Sequence, residues 1–375
     1  AIDHHGSHEA YGQETCVDPS CAACGELIYR LLLEMDVTIT PQIALLLYTV
    51  IVLVLAASCD RRAEYLTASG AMLGTTFQAT GDITDCTAQE LYRAIMQIDA
   101  EAKASMSIFD STSLLSRINR GETDSLDEHI IYNLRLAERF SRLSEGHYDV
   151  TVKPLVDAWG FAGHEAERTP NLDSLLQFVG YRRVHIRDGR LVKDDPRVQL
   201  DFNSIAKGYT VDLVAALMER CGAKNYLVEI GGECRCQGVS SKGIPWRIGI
   251  ETPFDGNMSD GAYLTGRIRM SEGGLATSGN YRRFYRDAAG NKISHTIDPT
   301  TGRSVTSRLL SATVVADNCA EADAMATMYL SLGANKAIAL SRKIPDAKVY
   351  FILDDGKDGY EIYCSPAMQE MMIPE

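Results

Sequence analysis

Four short stretches of the sequence concentrate side chains able to do chemistry. Asp201-Phe-Asn-Ser-Ile-Ala-Lys207-Gly208 leads from an expected strand into an expected helix. The start of a helix presents free N–H groups and Lys207 adds a cation, so together they can cradle a phosphate. A capped helix with a solvated lysine is the plainer alternative. Glu321-Ala-Asp323-Ala-Met-Ala-Thr327 places a carboxylate and a hydroxyl four residues apart, on one helix face. Two hard oxygen donors in that arrangement suit Mg²⁺, and a local hydrogen bond is the competing reading. Ser294-His295-Thr-Ile-Asp298-Pro299-Thr-Thr-Gly302 joins a titratable histidine to an Asp-Pro turn. Gly273-Gly-Leu-Ala-Thr-Ser-Gly-Asn-Tyr281 is a run of small residues and hydroxyls that reads either as backbone closely approached by a ligand or as a turn. The sequence holds no GxGxxG, Walker A or nucleophilic-triad pattern.

The elements that must position these groups follow from periodicity. Thr75–Thr80 alternates like a strand. Thr87 begins a helix, with Glu90 completing a capping box and Leu91, Ile95 and Ile98 forming its apolar stripe. Further helices are expected over Asp127–Leu143, Ile205–Arg220 and Glu321–Leu332. Strands are expected at Val184–Arg187, Arg197–Asp201, Tyr226–Ile230, Trp246–Ile250, Tyr263–Met270, Leu310–Val315 and Val349–Leu353. Helices and strands interleave without a βαβ period, which predicts an α+β fold of mixed sheets with packed helices.

With 375 residues, 45% of them hydrophobic and 23% charged, the chain can bury a sizeable core, and this excludes disorder and collagen-like structure. Its net charge of −13 and the lack of a basic stripe argue against nucleic acid as a partner. Ile43–Ser58 is an apolar run, short for a membrane span, that ends in Ala56-Ala57-Ser58-Cys59. It matches a secretory signal followed by a lipobox, with Cys59 as the lipidated residue, although a single membrane anchor is also compatible. Either reading places the rest of the chain outside the cytoplasm, at the membrane. The expected organisation is an upstream extension over 1–34, a signal-like segment over 35–58, a lipidated tether over 59–69 and a folded domain over 70–375. Cys21-Ala-Ala-Cys24, with His4, His5 and His8, has metal-pair spacing but lacks a second pair, and we set 1–34 aside from the fold. Cys86, Cys221, Cys234, Cys236, Cys319 and Cys364 show no metal spacing and are expected as free thiols.

Taken in order, Met106–Phe109, Ser113–Asn119, Tyr148–Phe161, Asp201–Gly208, Val228–Gly232, Ala276–Gly279, His295–Gly302 and Ala322–Thr327 resemble the motifs of the ApbE-like FAD:protein FMN transferases. The likeness runs from about Gly70 to the C-terminus. It implies a Mg²⁺-dependent enzyme that cleaves FAD, releases AMP and attaches the FMN phosphate to a Thr or Ser hydroxyl of a target flavoprotein. In the family such targets are subunits of membrane redox complexes. By position, the metal would be held by Asp323, Thr327 and the backbone carbonyl of Ser204. FAD would be contacted by Leu73, Phe109, Trp159, Gly160, Phe161, Asp201, Lys207 and Ile297. Three departures stand out. Phe109 replaces a frequent tyrosine, Leu73 a methionine, and Ala326 a carboxylate of some relatives. His295 is the expected general base for the attacking hydroxyl. An FAD pyrophosphatase yielding FMN and AMP, and a non-catalytic flavin-binding lipoprotein, are the alternative functions.

Overall fold

The computed structural model describes residues 64–161, 170–254, 263–281, 283–287, 290–357 and 359–374, together with short pieces of the first 63 residues. Residues 1–63 and 64–375 form separate compact units. In the first unit, Ile2–Asp3 pairs in parallel with Cys16–Val17. Among the described residues no helix is long and apolar enough to cross a membrane. Cys59 lies outside the described residues, as do Cys21, Cys24 and the three upstream histidines.

The second unit is built on one eight-stranded antiparallel sheet. Its strands are β1 (Leu66–Met72), β2 (Thr75–Gly81), β3 (Tyr226–Ile230), β4 (Glu233–Gln237), β5 (Glu272–Gly279), β6 (Leu309–Ala316), β7 (Lys348–Asp354) and β8 (Tyr360–Cys364). Across the sheet they run β8-β7-β6-β5-β4-β3-β2-β1. Because β1 is an edge strand of this sheet, the folded unit begins at Glu64 rather than at residue 70. Five helices concern the argument: α1 (Ala88–Met106), α2 (Leu114–Asn119), α3 (Glu128–Leu143), α4 (Ala206–Arg220) and α5 (Cys319–Ser341). Helix α5 packs on β5 and β6, and α4 packs against α5, β3 and β4. Together with hairpins Trp246–Glu251/Leu264–Met270 and Phe284–Arg286/Lys292–Ser294, this is the expected α+β architecture.

Local sequence accounts for most boundaries. Thr87 caps α1 in the expected box, Glu90 N–H donating to Thr87 Oγ1 (3.3 Å) and Thr87 N–H to Glu90 Oε2 (2.9 Å). Asp127 caps α3, accepting from Ile130 N–H at 2.8 Å, and Asn318 caps α5, accepting from Glu321 N–H at 2.9 Å. The expected end of the last helix at Leu332 falls where α5 breaks, since Gly333 leaves helical geometry (φ 71°) before the helix resumes to Ser341.

Two expectations are corrected and one open alternative is decided. Arg197–Asp201 is not a strand: Leu200 N–H donates to Asn119 Oδ1 (2.7 Å) and Asn119 Nδ2 donates to Leu200 O (2.8 Å), so one side-chain amide takes the place of a neighbouring strand. Of the two readings left open for Gly273–Tyr281, the turn is not found, since Gly273–Gly279 lies in a central strand. A Cβ at Gly274 would lie 2.3 Å from the backbone nitrogen of Cys319, so the glycine lets the start of α5 lie directly on the sheet. Finally, Cys86 and Cys221 form a disulfide with Cα atoms 5.3 Å apart, whereas Cys234, Cys236, Cys319 and Cys364 are free thiols as expected. The bridge fastens the loop before α1 to the end of α4, where Thr84 and Asp85 N–H groups also donate to Cys221 O.

Candidate active site

A cavity of about 690 Å³ opens between the sheet, the starts of α4 and α5, and the two hairpins. That volume suits a ligand of cofactor size. Eight of the twelve expected binding and catalytic residues line it: Phe161, Asp201, Ser204, Lys207, His295, Ile297, Asp323 and Thr327. Residues 96 positions apart in the sequence, from Asp201 before α4 to Ile297 beyond β5, thus converge with α5 on one space, because α4 and α5 pack side by side.

Gly208 sets this convergence. A Cβ there would stand 2.4 Å from Cys319 O and 2.7 Å from Asp323 Cβ, so the two helices touch at this point. The contact is used chemically, since Gly208 N–H donates to Asp323 Oδ2 at 3.0 Å. Asp323 is 3% exposed. Burial and the nearby Glu233 carboxylate both raise its pKa, so the pocket has more negative charge than it can comfortably hold. Thr327 Oγ1 and Ser278 Oγ lie 3.0 Å apart on the same wall.

Lys207 forms an ion pair with Glu233, Nζ to Oε1 at 2.6 Å. Burial alone would lower its pKa, but the Glu233 and Asp323 carboxylates outweigh that effect and raise it, which keeps the ammonium charged. Asp201 is buried and its pKa is raised by desolvation, while Asn203 N–H donates to its Oδ1 at 2.8 Å. His295 Nδ1 lies 3.2 Å from Arg283 O. A carbonyl only accepts, so Nδ1 carries the hydrogen and Nε2 carries the lone pair. Burial, then the positive charge of Arg283, lower the His295 pKa to about 4, so the ring is neutral at physiological pH.

An aromatic group sits beside the histidine. Phe161 packs on Tyr285 (ring centroids 5.5 Å apart) and meets His295 edge-on at 6.3 Å. Ile297 is buried in the same neighbourhood with Trp159 and Leu155.

The other four expected contacts do not line the cavity. Trp159 is fixed behind it, its Nε1 donating to Gly302 O at 2.8 Å. Gly160 turns the chain with φ 80° between Trp159 and Phe161. Leu73 occupies the β1–β2 turn, where its N–H donates to Asp99 Oδ1 at 2.9 Å. Phe109 is 64% exposed at the surface. Thr277 and Ser278 of the Gly273–Tyr281 run line the cavity as well, whereas Glu233, Arg283 and His147 were absent from the sequence-based set. Glu233 directly follows the Val228–Gly232 motif, and its being an acid at a strand start was the available signal. His147 is tied to Asp298 by its Nδ1 at 3.0 Å, a contact between residues 151 apart that no spacing could reveal.

Among the described residues no three His, Cys, Asp or Glu side chains gather as a metal cage. The groups at Asp323 nevertheless fit Mg²⁺: all are oxygen donors, the carboxylate is buried with excess negative charge, and hydroxyls lie beside it. Mg²⁺ commonly binds through one or two carboxylates plus substrate phosphates rather than through an all-protein cage.

The ApbE family model matches residues 73–351. A curated Vibrio cholerae protein named FAD:protein FMN transferase is 34% identical over 333 residues, which cover 85% of this chain and 96% of that protein. Its Escherichia coli counterpart of the same name is 30% identical over 83% of this chain and 90% of its own. Among solved structures, the flavin transferase ApbE of Vibrio cholerae aligns with a TM-score of 0.72 at 32% identity, covering 82% of this chain and 99% of that one. The apo flavinyl transferase ApbE of Pseudomonas stutzeri aligns with a TM-score of 0.73 at 28% identity over 82% and 96%. The chain belongs to the ApbE family.

Proposed function

We propose that this protein is an FAD:protein FMN transferase: it breaks the pyrophosphate of FAD and joins the FMN phosphate to a Thr or Ser hydroxyl of a target flavoprotein. AMP and one proton are the other products. The observation that carries this reading is the convergence of Lys207, Asp323, Thr327 and His295 on one cavity, in a chain whose curated relatives bear that name.

Asp323, Thr327 and the backbone carbonyl of Ser204 would hold Mg²⁺. When bound, the ion would neutralise pyrophosphate charge and make phosphorus more susceptible to attack. Lys207 is held charged at the cavity wall, so it binds the pyrophosphate and stabilises charge on the departing AMP. His295 accepts the proton of the incoming hydroxyl at Nε2, which the Arg283 carbonyl leaves as the basic nitrogen. A pKa near 4 makes it a weak base before substrate binds, and the negative pyrophosphate would raise it on binding. Phe161 with Tyr285 offers an aromatic surface for a flat ring of the substrate.

The proposal extends to location. Cys86–Cys221 is the kind of bridge kept in oxidising compartments, which supports a place outside the cytoplasm, with Cys59 as a lipid anchor in the membrane. The targets would then be extracytoplasmic flavoprotein subunits of membrane redox complexes. Incubation with FAD, Mg²⁺ and such a subunit tests the function: flavin bound covalently to the subunit supports it, and free FMN without adduct refutes it.

A further inference from the structure

Glu233 has a role that Lys207 alone does not explain. It stands at the start of β4, after a turn whose Gly231 and Gly232 have φ of 62° and 103°. The residue is 4% exposed and lines the cavity. Its Oε1 takes the Lys207 ammonium, but its Oε2 is buried and has no hydrogen-bond partner among the described residues. The nearest turn donors are committed elsewhere, Gly231 N–H to Thr76 O at 3.0 Å and Gly232 N–H to Glu229 Oε1 at 2.5 Å. A buried carboxylate oxygen without a donor is costly, so such an atom in a binding cavity points to a donor on the ligand.

The chemistry of the ligand narrows the choice. Phosphate oxygens at neutral pH only accept, and they would repel Glu233. A group that satisfies Oε2 by hydrogen bonding must carry O–H or N–H and must lie next to the phosphate that Lys207 binds, because Oε1 and Nζ are 2.6 Å apart; a Mg²⁺ beside Asp323 is the other partner Oε2 could take, and a pyrophosphate probe separates the two. On FAD the groups flanking the pyrophosphate are hydroxyls, those of the ribityl chain on one side and of the adenosine ribose on the other. We propose that Glu233 is a specificity-determining residue that accepts a hydrogen bond from a substrate hydroxyl beside the pyrophosphate. The site then distinguishes a nucleotide-like ligand from a bare pyrophosphate. This rests on the FAD reading above.

Titration calorimetry at fixed Mg²⁺ on the full chain and on Glu233→Gln tests it, with FAD, FMN, ADP and inorganic pyrophosphate as probes. Gln keeps the size and an oxygen for Lys207 but removes the charge. FAD affinity should fall about tenfold or more, the worth of a hydrogen bond to a charged group. Pyrophosphate affinity should stay level or rise, since a repelling charge has gone. A loss shared by FMN assigns the hydroxyl to the ribityl chain, and one shared by ADP assigns it to the ribose. Equal losses for FAD and pyrophosphate would overturn the proposal, since Glu233 would then serve only Lys207 or the metal site. Unchanged FAD binding would also overturn it. Should the variant not fold, the wild-type protein decides with deoxy analogues of the assigned ligand half: loss of one hydroxyl must cost a similar factor, and no loss at any position refutes the idea. Wild-type protein that binds pyrophosphate but not FAD would remove the FAD reading itself, and this inference with it.

Discussion

Gly208→Ala sets two elementary effects against each other. Alanine in place of glycine inside a helix ordinarily stabilises by about 1 kcal/mol. Here the added methyl would sit 2.4 Å from Cys319 O and 2.7 Å from Asp323 Cβ, against ordinary contact from 3.4 Å upward. Cys319 O is backbone and cannot rotate aside, so α4 must move from α5 by about 1 Å, the difference 3.4 − 2.4. Overpacking of this kind costs about 1–3 kcal/mol and outweighs the helix propensity. At roughly 2–4 °C per kcal/mol for a domain of about this size, the Tm should fall by several degrees. The larger effect should be on rate. The same movement lengthens the Gly208 N–H to Asp323 Oδ2 bond and displaces the carboxylate expected to hold Mg²⁺, and a misplacement of about 1 Å can cost on the order of 100-fold. Thermal melting and FMN-transfer rates across a Mg²⁺ titration measure both effects. A variant with a Tm equal to or above wild type and an unchanged rate would refute the claim that this helix contact builds the site.

Asp323→Asn should weaken Mg²⁺ dependence of FAD cleavage by at least about 100-fold, as read from the metal concentration giving half-maximal rate; an unshifted value would place the metal elsewhere. His295 has a folded pKa of about 4, below its ordinary 6.5, so the fold favours its neutral form. Its contribution to stability is complete above pH 6.5 and is lost as pH falls from 6.5 through 4. His295→Asn should therefore show a shallower decline of Tm in that window than wild type, and parallel curves would contradict the shift. Reducing Cys86–Cys221, or replacing both residues with Ser, should destabilise by about 2–4 kcal/mol without abolishing FAD binding, since the bridge lies at the far end of α4 from Lys207. Melting with and without reductant checks this, and an unchanged Tm counts against a structural role for the bridge.

The sequence was most legible where a signal is local. A capping box at Thr87–Glu90, an Asp cap at Asp127 and alternation through Tyr226–Ile230 each depend on neighbours within a few residues, and all three appear as expected. The site residues on the Asp201–Gly208 and Asp323–Thr327 segments were visible for the same reason. What failed was long-range. The Asn119 amide that replaces a strand partner for Leu200 is 81 residues away, and Cys221 is 135 residues from Cys86. The Gly273–Tyr281 run could be read as open to a ligand, but not that Gly274 also serves a helix packed on the strand, a need invisible until α5 is in place. Glu233 escaped notice because its significance depends on Lys207, 26 residues earlier, and on an oxygen that no group among the described residues satisfies.

The central claim is tested most directly by incubating the protein with FAD, Mg²⁺ and a candidate redox-complex subunit that bears an acceptor threonine. In-gel flavin fluorescence and intact mass are then read on the subunit. The account predicts a covalent FMN adduct on that threonine, one AMP released per adduct, and loss of both with EDTA or with Asp323→Asn. AMP and free FMN in equal amounts, with no adduct on the subunit, would contradict it.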